Sequence, residues 1–301
     1  MPAATRHLAR RFGASQIALN TKMTIETIYI ARHVDIYASS AGYRMNWVTD
    51  DWQSVTGLPR DPPLAEYGLS QAQELADYFL SLPEEERPTI MLSSPYYRCL
   101  QTAVPTAQKL GLPLYVEHGL SEWYSPVAPG TGLHPRPASA AELRTYFPEI
   151  DESWQSIYYP SRKGEDVEQV HDRANGFLRA LIPYIEHKFG GKHKRVLLVS
   201  HAATVIALTH ELIGDRNLPL RVGCCTLTEL QRKPGETELI GAWERKRLAD
   251  GSHLKDGATR EWGLEDIIVI NDTGLPGTEN AADSPVGLQV DLLPPEVLAH
   301  V

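Results

Sequence analysis

Residues 195–213 read RVLLVSHAATVIALTHELI, the segment from which the fold is most directly predicted. The run 195–199 is short and the most hydrophobic of the candidate strands, which predicts a buried strand. It passes at once into an apolar helical pattern over residues 202–213. A strand that enters a helix this directly is typical of parallel α/β sheets, in which ligands bind at the carboxyl ends of the strands. Ser200 and His201 would lie at such an end.

The same alternation of strand and helix patterns runs through most of the chain. Strands are predicted at 27–31, 89–92 and 114–116, near 224–231 and near 237–245. Helices are predicted at 68–82, 94–110 and 166–189, the second with Ser94 as N-cap and Pro95 at its first position. We therefore predict an α/β fold, a doubly wound and mostly parallel sheet flanked by helices, over residues 23–270. Residues 118–165, rich in Pro and aromatic side chains, would form a cap-like insertion over the site.

The net charge of −9 comes mainly from the C-terminal end of the 301-residue chain. Eight of the 38 acidic residues follow residue 260, where there is no Lys or Arg, so the preceding part has 30 acids against 29 bases. A neutral body without a basic run argues against direct binding of nucleic acid. No apolar run is long enough to span a bilayer. Three cysteines without a CxxC pair favour a reducing compartment, the cytoplasm or the nucleus.

The two ends differ from this body in composition. Residues 1–22 hold four Lys or Arg and no acid, which fits either a disordered leader, with Met23 as an alternative start, or a mitochondrial transit peptide. Residues 271–301 are rich in Gly, Pro and Asp and predict a flexible acidic tail, whose apolar positions could dock a protein partner.

Basic side chains follow three of the predicted strands. Arg32 and His33 end the first strand, Arg98 comes shortly after the second, and His201 follows the strand at 195–199. The carboxyl ends of parallel strands meet at one edge, so these side chains should lie close together. Guanidinium groups bind phosphate oxygens bidentately, and the cluster therefore predicts a site for a phosphate dianion.

These residues lie in motifs that resemble the histidine phosphatase (phosphoglycerate mutase-like) superfamily. The resemblance rests on five segments in the family's order: IARH at 30–33, PLAEYGLSQA at 63–72, SSPYYRCLQTA at 93–103, SEWY at 121–124 and LVSHAA at 198–203. Finer features, such as GYRMNW at 42–47, are most similar to a fungal subgroup. That subgroup contains the phosphatase-like subunit of transcription factor TFIIIC and its free-standing relatives.

The resemblance implies a metal-independent phosphomonoester hydrolase that needs no cofactor. His33 would be the nucleophile that forms a phosphohistidine, and Glu122 would protonate the leaving alcohol and later activate water. The phosphate would be held by four basic side chains: Arg32, Arg44, Arg98 and His201. The expected substrate is a phosphorylated small molecule or a phosphopeptide.

The chain departs from the family's pattern directly after the nucleophile. The family has Arg-His-Gly, whereas here residues 34–41 separate His33 from Gly42. Val34 takes the place of the glycine, and a β-branched residue does not easily adopt a positive φ. The eight residues could loop out of an intact pocket, could displace His33 and Arg44, or could be a gene-model artefact.

Two alternatives to an active phosphatase remain open from the sequence. One is a catalytically impaired interaction module, such as a subunit of the RNA polymerase III transcription factor TFIIIC, which the interrupted motif and the acidic tail favour. The other is a serine hydrolase built on Ser200, although the flanking glycines of a nucleophile elbow are absent.

Overall fold

The computed structural model describes residues 23–34, 54–267 and 272–301. The strands of this described part are β1 Thr27–Arg32, β2 Ile90–Ser93, β3 Leu114–Val116, β4 Tyr158–Tyr159, β5 Arg195–Ser200, β6 Val222–Cys224, β7 Leu227–Arg232, β8 Trp243–Asp250, β9 Thr259–Trp262 and β10 Gly287–Leu288. The helices are α1 Glu66–Ser81, α2 Tyr97–Leu110, α3 Ala140–Leu143, α4 Val167–Lys188, α5 Ala202–Ile213 and α6 Pro295–Leu298. None of the helices in these ranges is both long and apolar enough to cross a membrane.

A six-stranded sheet with the order β3-β2-β5-β1-β7-β8 forms the centre of the molecule. The strands β3, β2, β5 and β1 run parallel. Strand β7 is antiparallel to β1, and β8 is antiparallel to β7. The predicted mostly parallel α/β sheet flanked by helices is therefore confirmed.

The side chains of β1 alternate between two apolar layers, one on each face of the sheet. Ile28 and Ile30 pack with the buried residues of α4 and α5. Tyr29 and Ala31 pack with those of α1 and α2. A strand that is apolar on both faces is typical of a sheet covered by helices on both sides. This arrangement holds β1 inside the sheet, and His33 follows directly at its carboxyl end.

Helix α2 begins later than predicted, and a different residue caps it. The helix starts at Tyr97, and Tyr96 before it is extended, with φ −67° and ψ 136°. The Asp61 carboxylate accepts a 2.7 Å hydrogen bond from the Tyr97 backbone N–H. The Ser94 hydroxyl lies 2.8 Å from His201 Nε2 instead. The prediction of Ser94 as N-cap and Pro95 as first helical residue was wrong, because the cap comes from a segment distant in sequence.

The strand predicted near 237–245 also lies further along the chain. Gly235 and Gly241 both have a positive φ, 81° and 71°. These left-handed residues belong to the turn between β7 and β8, so β8 begins only at Trp243.

The C-terminal segment packs against the domain, which differs from the expected flexible tail. Strand β10 pairs antiparallel with β4, and α6 contacts α4. Leu293 and Val297 belong to the same buried apolar cluster as α4 and α5, and Val297 is 1% exposed. The acidic composition suggested disorder, but the spacing of the apolar residues lets them reach the core.

Candidate active site

The parallel strands bring the predicted histidines together at the carboxyl edge of the sheet. His33 follows β1, and His201 follows the neighbouring β5 at the N-cap of α5. Their ring centroids are 5.2 Å apart. Arg98, in the first turn of α2, reaches both rings. The predicted convergence of His33, Arg98 and His201 is thus present in the structure.

A backbone contact fixes the orientation of the His33 ring. Its Nδ1 lies 2.8 Å from the carbonyl oxygen of Val34, a contact that requires the proton on Nδ1. The other ring nitrogen, Nε2, then carries a lone pair and lies 3.4 Å from Arg98 Nε. Burial lowers the pKa of His33 well below its usual value, and the charge of Arg98 lowers it further. The ring is therefore neutral, and its Nε2 lone pair accepts the N–H of Arg98 Nε.

Arg98 is the centre of the cluster, because all three of its guanidinium nitrogens contact other members. Its Nη2 donates to Glu122 Oε2 at 2.9 Å and lies 3.1 Å from His201 Nδ1. Its Nη1 donates to Asp61 Oδ1 at 3.0 Å. Arg98 is 2% exposed and Asp61 1%, so this ion pair is buried. Only Glu122, at 14% side-chain exposure, gives this cluster appreciable access to solvent.

Glu122 and His201 form a second polar pair in the cluster. Glu122 Oε2 lies 3.1 Å from His201 Nδ1, and Oε1 accepts the backbone N–H of Trp123 at 3.0 Å. Burial alone would raise the pKa of Glu122, but the contacts with His201 and Arg98 hold it well below its usual range. Burial lowers the pKa of His201 to about 4. Arg98 is thus the charged partner that keeps Glu122 ionised.

Sequence reasoning missed Asp61 and Tyr96 as members of the cluster. Asp61 holds both the guanidinium of Arg98 and the N-terminus of α2. The Arg98 guanidinium lies over the ring of Tyr96, 4.5 Å from its centroid, and that ring also packs edge-on against His201. Asp61 follows no strand, and Tyr96, which comes shortly after β2, is not a basic residue, so the search for basic side chains at strand ends found neither.

The two remaining predicted phosphate ligands are Arg32 and Arg44. Arg32 is buried, and its Nη1 donates 2.8 Å hydrogen bonds to the carbonyls of Val222 and Arg260. Those carbonyls belong to β6 and β9, so this nitrogen is engaged away from His33. Arg44 lies outside the described residues.

Val34, the first residue of the interruption, is part of the buried site. It is fully buried, and its backbone N–H donates to Thr102 Oγ1 at 3.3 Å. Positive φ at non-glycine positions of the described ranges occurs at Arg60, Cys225, Ala249 and Arg260, so Val34 does not need the conformation that its side chain disfavours. Residues 35–41 lie outside the described ranges.

Three atoms of the cluster could also serve as metal ligands. His33, Glu122 and His201 each offer one atom, and these atoms lie within 4.8 Å of one another. Two histidines and a carboxylate are a ligand set that catalytic zinc sites use. However, Arg98 contacts all three groups, and its permanent positive charge would repel a divalent cation at the same place. The donor set suits a metal, but its surroundings do not.

The geometry gives the serine hydrolase alternative no support. Ser200 is fully buried, and its hydroxyl donates a 2.7 Å hydrogen bond to the carbonyl of Leu120. A nucleophilic serine needs an accessible hydroxyl next to a base.

Comparison with known proteins gives one family match. The family model of the histidine phosphatase superfamily (branch 1) matches residues 48–243. This range includes Arg98, Glu122 and His201. It begins after Arg32, His33 and Arg44, so the membership of His33 in the cluster is supported by the structure and by the sequence motif and not by the family model.

Similar proteins include a transcription factor subunit and several phosphatases. The transcription factor tau 55 kDa subunit of Saccharomyces cerevisiae is 37% identical over 221 residues, which are 69% of this chain and 48% of that protein. The chain thus spans about half the length of this relative. The structure of an ecdysone phosphate phosphatase from Bombix mori, in complex with tungstate, matches with a TM-score of 0.52 at 17% identity, over 74% of this chain and 93% of the other. A mycobacterial glucosyl-3-phosphoglycerate phosphatase matches with a TM-score of 0.47 at 21% identity, over 74% and 98%.

Proposed function

The chain belongs to the histidine phosphatase superfamily (branch 1), as its motifs predicted, and we propose that it hydrolyses phosphate monoesters without a metal, through a phosphohistidine on His33. The observation that carries this proposal is the geometry of His33, a neutral imidazole whose Nε2 lone pair lies beside the Arg98 guanidinium. A neutral imidazole is the form that can attack phosphorus. The substrate would be a phosphorylated small molecule or a phosphopeptide.

In the first step, His33 Nε2 forms a bond to phosphorus while the bond from phosphorus to the ester oxygen breaks. Arg98 is the best supported phosphate ligand, because its guanidinium lies between the nucleophile and Glu122 and can donate to the equatorial oxygens. His201 would donate to the same phosphoryl group. Arg32 and Arg44 stay proposals from the family pattern.

Glu122 would transfer the protons of both steps. A phosphate dianion that binds Arg98 would take hydrogen bonds away from Glu122 and add negative charge beside it, and both effects raise the pKa of this carboxyl. Glu122 could then give its proton to the leaving oxygen. In the second step it would accept a proton from water, whose oxygen attacks phosphorus as the bond to His33 Nε2 breaks.

The position of Val34 supports an intact nucleophile in spite of the interrupted motif. Its carbonyl orients the His33 ring, and its side chain and backbone N–H are anchored in the protein. We therefore propose that the interruption leaves the pocket at Val34, and a deletion that tests this should keep Val34 and remove residues 35–41.

The test is hydrolysis of p-nitrophenyl phosphate in EDTA across pH 5–8. We expect activity that survives EDTA and is lost in His33→Ala, whereas His187→Ala, an exposed histidine on α4, retains it. Rapid quenching into alkali should trap a phosphate adduct, detected by intact-mass spectrometry, in the unaltered protein and not in His33→Ala. Activity that appears only after deletion of 35–41 would mean that the interruption disables the site. Absence of activity in both forms would overturn the proposal.

A second candidate function is that of an interaction module in a transcription factor, favoured by the 37% identity with the yeast tau subunit. Partners would then supply any contact with DNA, because this chain lacks a basic run. An affinity-tagged chain, purified from its own cells, should recover the other subunits of such a factor in stoichiometric amounts, equally with His33→Ala. Recovery of the chain alone would contradict this function.

A further inference from the structure

The loop that carries Glu122 is held through its backbone by side chains from two helices. Arg173, in the second turn of α4, donates from Nη1 to the carbonyls of Gly119 at 3.0 Å and Ser121 at 3.4 Å. Thr204, on α5, donates to the same Ser121 carbonyl at 2.9 Å. Arg173 Nη2 in turn lies 3.4 Å from the Thr204 hydroxyl. The carbonyl directly before Glu122 therefore has two side-chain donors.

Glu165 holds the part of the loop that follows Glu122. Both oxygens of its carboxylate accept a hydrogen bond from Arg173 Nε, at 2.9 and 3.0 Å. Its backbone carbonyl accepts the indole N–H of Trp123 at 2.7 Å, and its backbone N–H donates to the Tyr124 carbonyl at 2.8 Å. One ion pair thus contacts the loop on both sides of Glu122.

Burial makes this ion pair a poor source of stability by itself. Arg173 is 2% exposed and Glu165 8%. Removing two charges from water is costly, and well-packed apolar residues of similar volume often stabilise a fold equally well. What apolar residues could not supply is a set of directed hydrogen bonds to the carbonyls of Gly119 and Ser121.

We propose that Arg173 and Glu165 are positioning residues that hold Glu122 in place for proton transfer to the leaving group. They act through the backbone of residues 119–124. The inference rests on the proposed function, in which Glu122 is the proton donor. It predicts that loss of Arg173 harms most those substrates whose leaving group needs the proton.

The experiment compares kcat/KM for two phosphate esters, p-nitrophenyl phosphate and glycerol 2-phosphate. The nitrophenolate leaves without a proton, whereas the glycerol alkoxide requires one. We expect Glu122→Gln to reduce turnover of glycerol 2-phosphate by about 10²–10⁴-fold and to affect the nitrophenyl ester far less. Arg173→Gln should show the same selectivity with a loss of about 10–100-fold on the alkyl ester, since a small misplacement of a catalytic group is enough for such a loss. In the Glu122→Gln background, Arg173→Gln should add no further selectivity.

Two further variants keep the test decisive. Thr204→Val removes one donor to the Ser121 carbonyl with little change of shape, and we expect a smaller loss with the same selectivity even where Arg173→Gln folds poorly. Arg179→Gln is the matched control, because Arg179 lies on the same helix and donates to Asn175 rather than to the loop. Equal losses on both esters in the Arg173 and Thr204 variants, with a selective loss in Glu122→Gln, would overturn this inference alone. Lack of selectivity in Glu122→Gln, or lack of turnover in the unaltered protein, would overturn the proposed function and this inference together.

Discussion

At the scale of single residues, the site is defined by which groups are charged before a substrate arrives. Burial and Arg98 keep His33 neutral, and the same Arg98, with His201, keeps Glu122 ionised. In the free protein, His33 Nε2 thus carries no proton and Glu122 is ionised. The proposed reaction therefore requires that a bound phosphate raises the pKa of Glu122.

The state of His33 has a consequence for the pH profile. The lowered pKa means that the imidazole stays unprotonated as the pH falls through its usual value of about 6.5. We expect kcat/KM to show no loss with a midpoint near pH 6.5, once the ionisation of the ester, titrated separately, is taken into account. An acid limb centred at that pH would contradict a neutral His33 as the proposed nucleophile.

The buried pair of Asp61 and Arg98 leads to a prediction on stability. Asp61→Asn keeps an acceptor for the Tyr97 N–H but removes the charge opposite Arg98. We expect the free energy of unfolding to fall by about 3 kcal/mol, because a buried guanidinium loses one of its partners. Urea titration measures this.

The matched control is Asp77→Asn, which removes the partner of Lys109 in a pair whose aspartate is 65% exposed. An exposed pair contributes at most about 1 kcal/mol. Equal effects of the two substitutions would mean that Asp61 has no special role at the buried site.

At the scale of elements, the sequence was sufficient wherever the fold class alone determines where a residue lies. The strand ends predicted His33, Arg98 and His201, because a parallel sheet brings its carboxyl ends together whatever the details of packing. Glu122 came only from the resemblance, since it lies in a loop whose course depends on Arg173 and Glu165. The start of α2 was placed wrongly, because its cap is the distant Asp61.

Glu117 is a second buried carboxylate that connects separate segments of the chain. The hydrogen-bond partners of its oxygens among the described residues are all N–H donors. Four N–H groups contact it, from the backbones of Gly119, Ile157 and Tyr158 and from the indole of Trp154. Glu117 therefore holds residues 154–158 against the short helix at 118–120.

An amide at this position can accept from only part of these donors. In Glu117→Gln, the NH2 group would face N–H groups, and we expect a loss of about 2–4 kcal/mol in the free energy of unfolding from unsatisfied buried donors. Glu152→Gln, at an exposed ion pair with Arg144, should stay within about 1 kcal/mol of the unaltered protein. Denaturant unfolding that gives the same midpoint for both variants would refute this role of Glu117.

At the scale of the whole molecule, the domain does not end where the composition changes. The acidic segment after residue 271 contributes β10 to a pairing with β4 and buries Leu293 and Val297 beside α4. Its acidic side chain Asp272 also pairs with Arg60, whose carbonyl accepts from Arg98. Charge and proline content predicted a flexible tail. The structure differs, because composition does not show which apolar residues can reach an existing core.

Two valines of this segment test whether it is part of the folded domain. Val297 is 1% exposed and Val290 is 50% exposed, and they lie seven positions apart in the same segment. For a docked segment, Val297→Ser should lower the free energy of unfolding by about 2–3 kcal/mol, because it removes apolar burial and places a hydroxyl in the core. Val290→Ser should change it by less than about 0.5 kcal/mol. A flexible tail would make the two variants indistinguishable in thermal and urea unfolding, so the difference between them measures the docking of the segment directly.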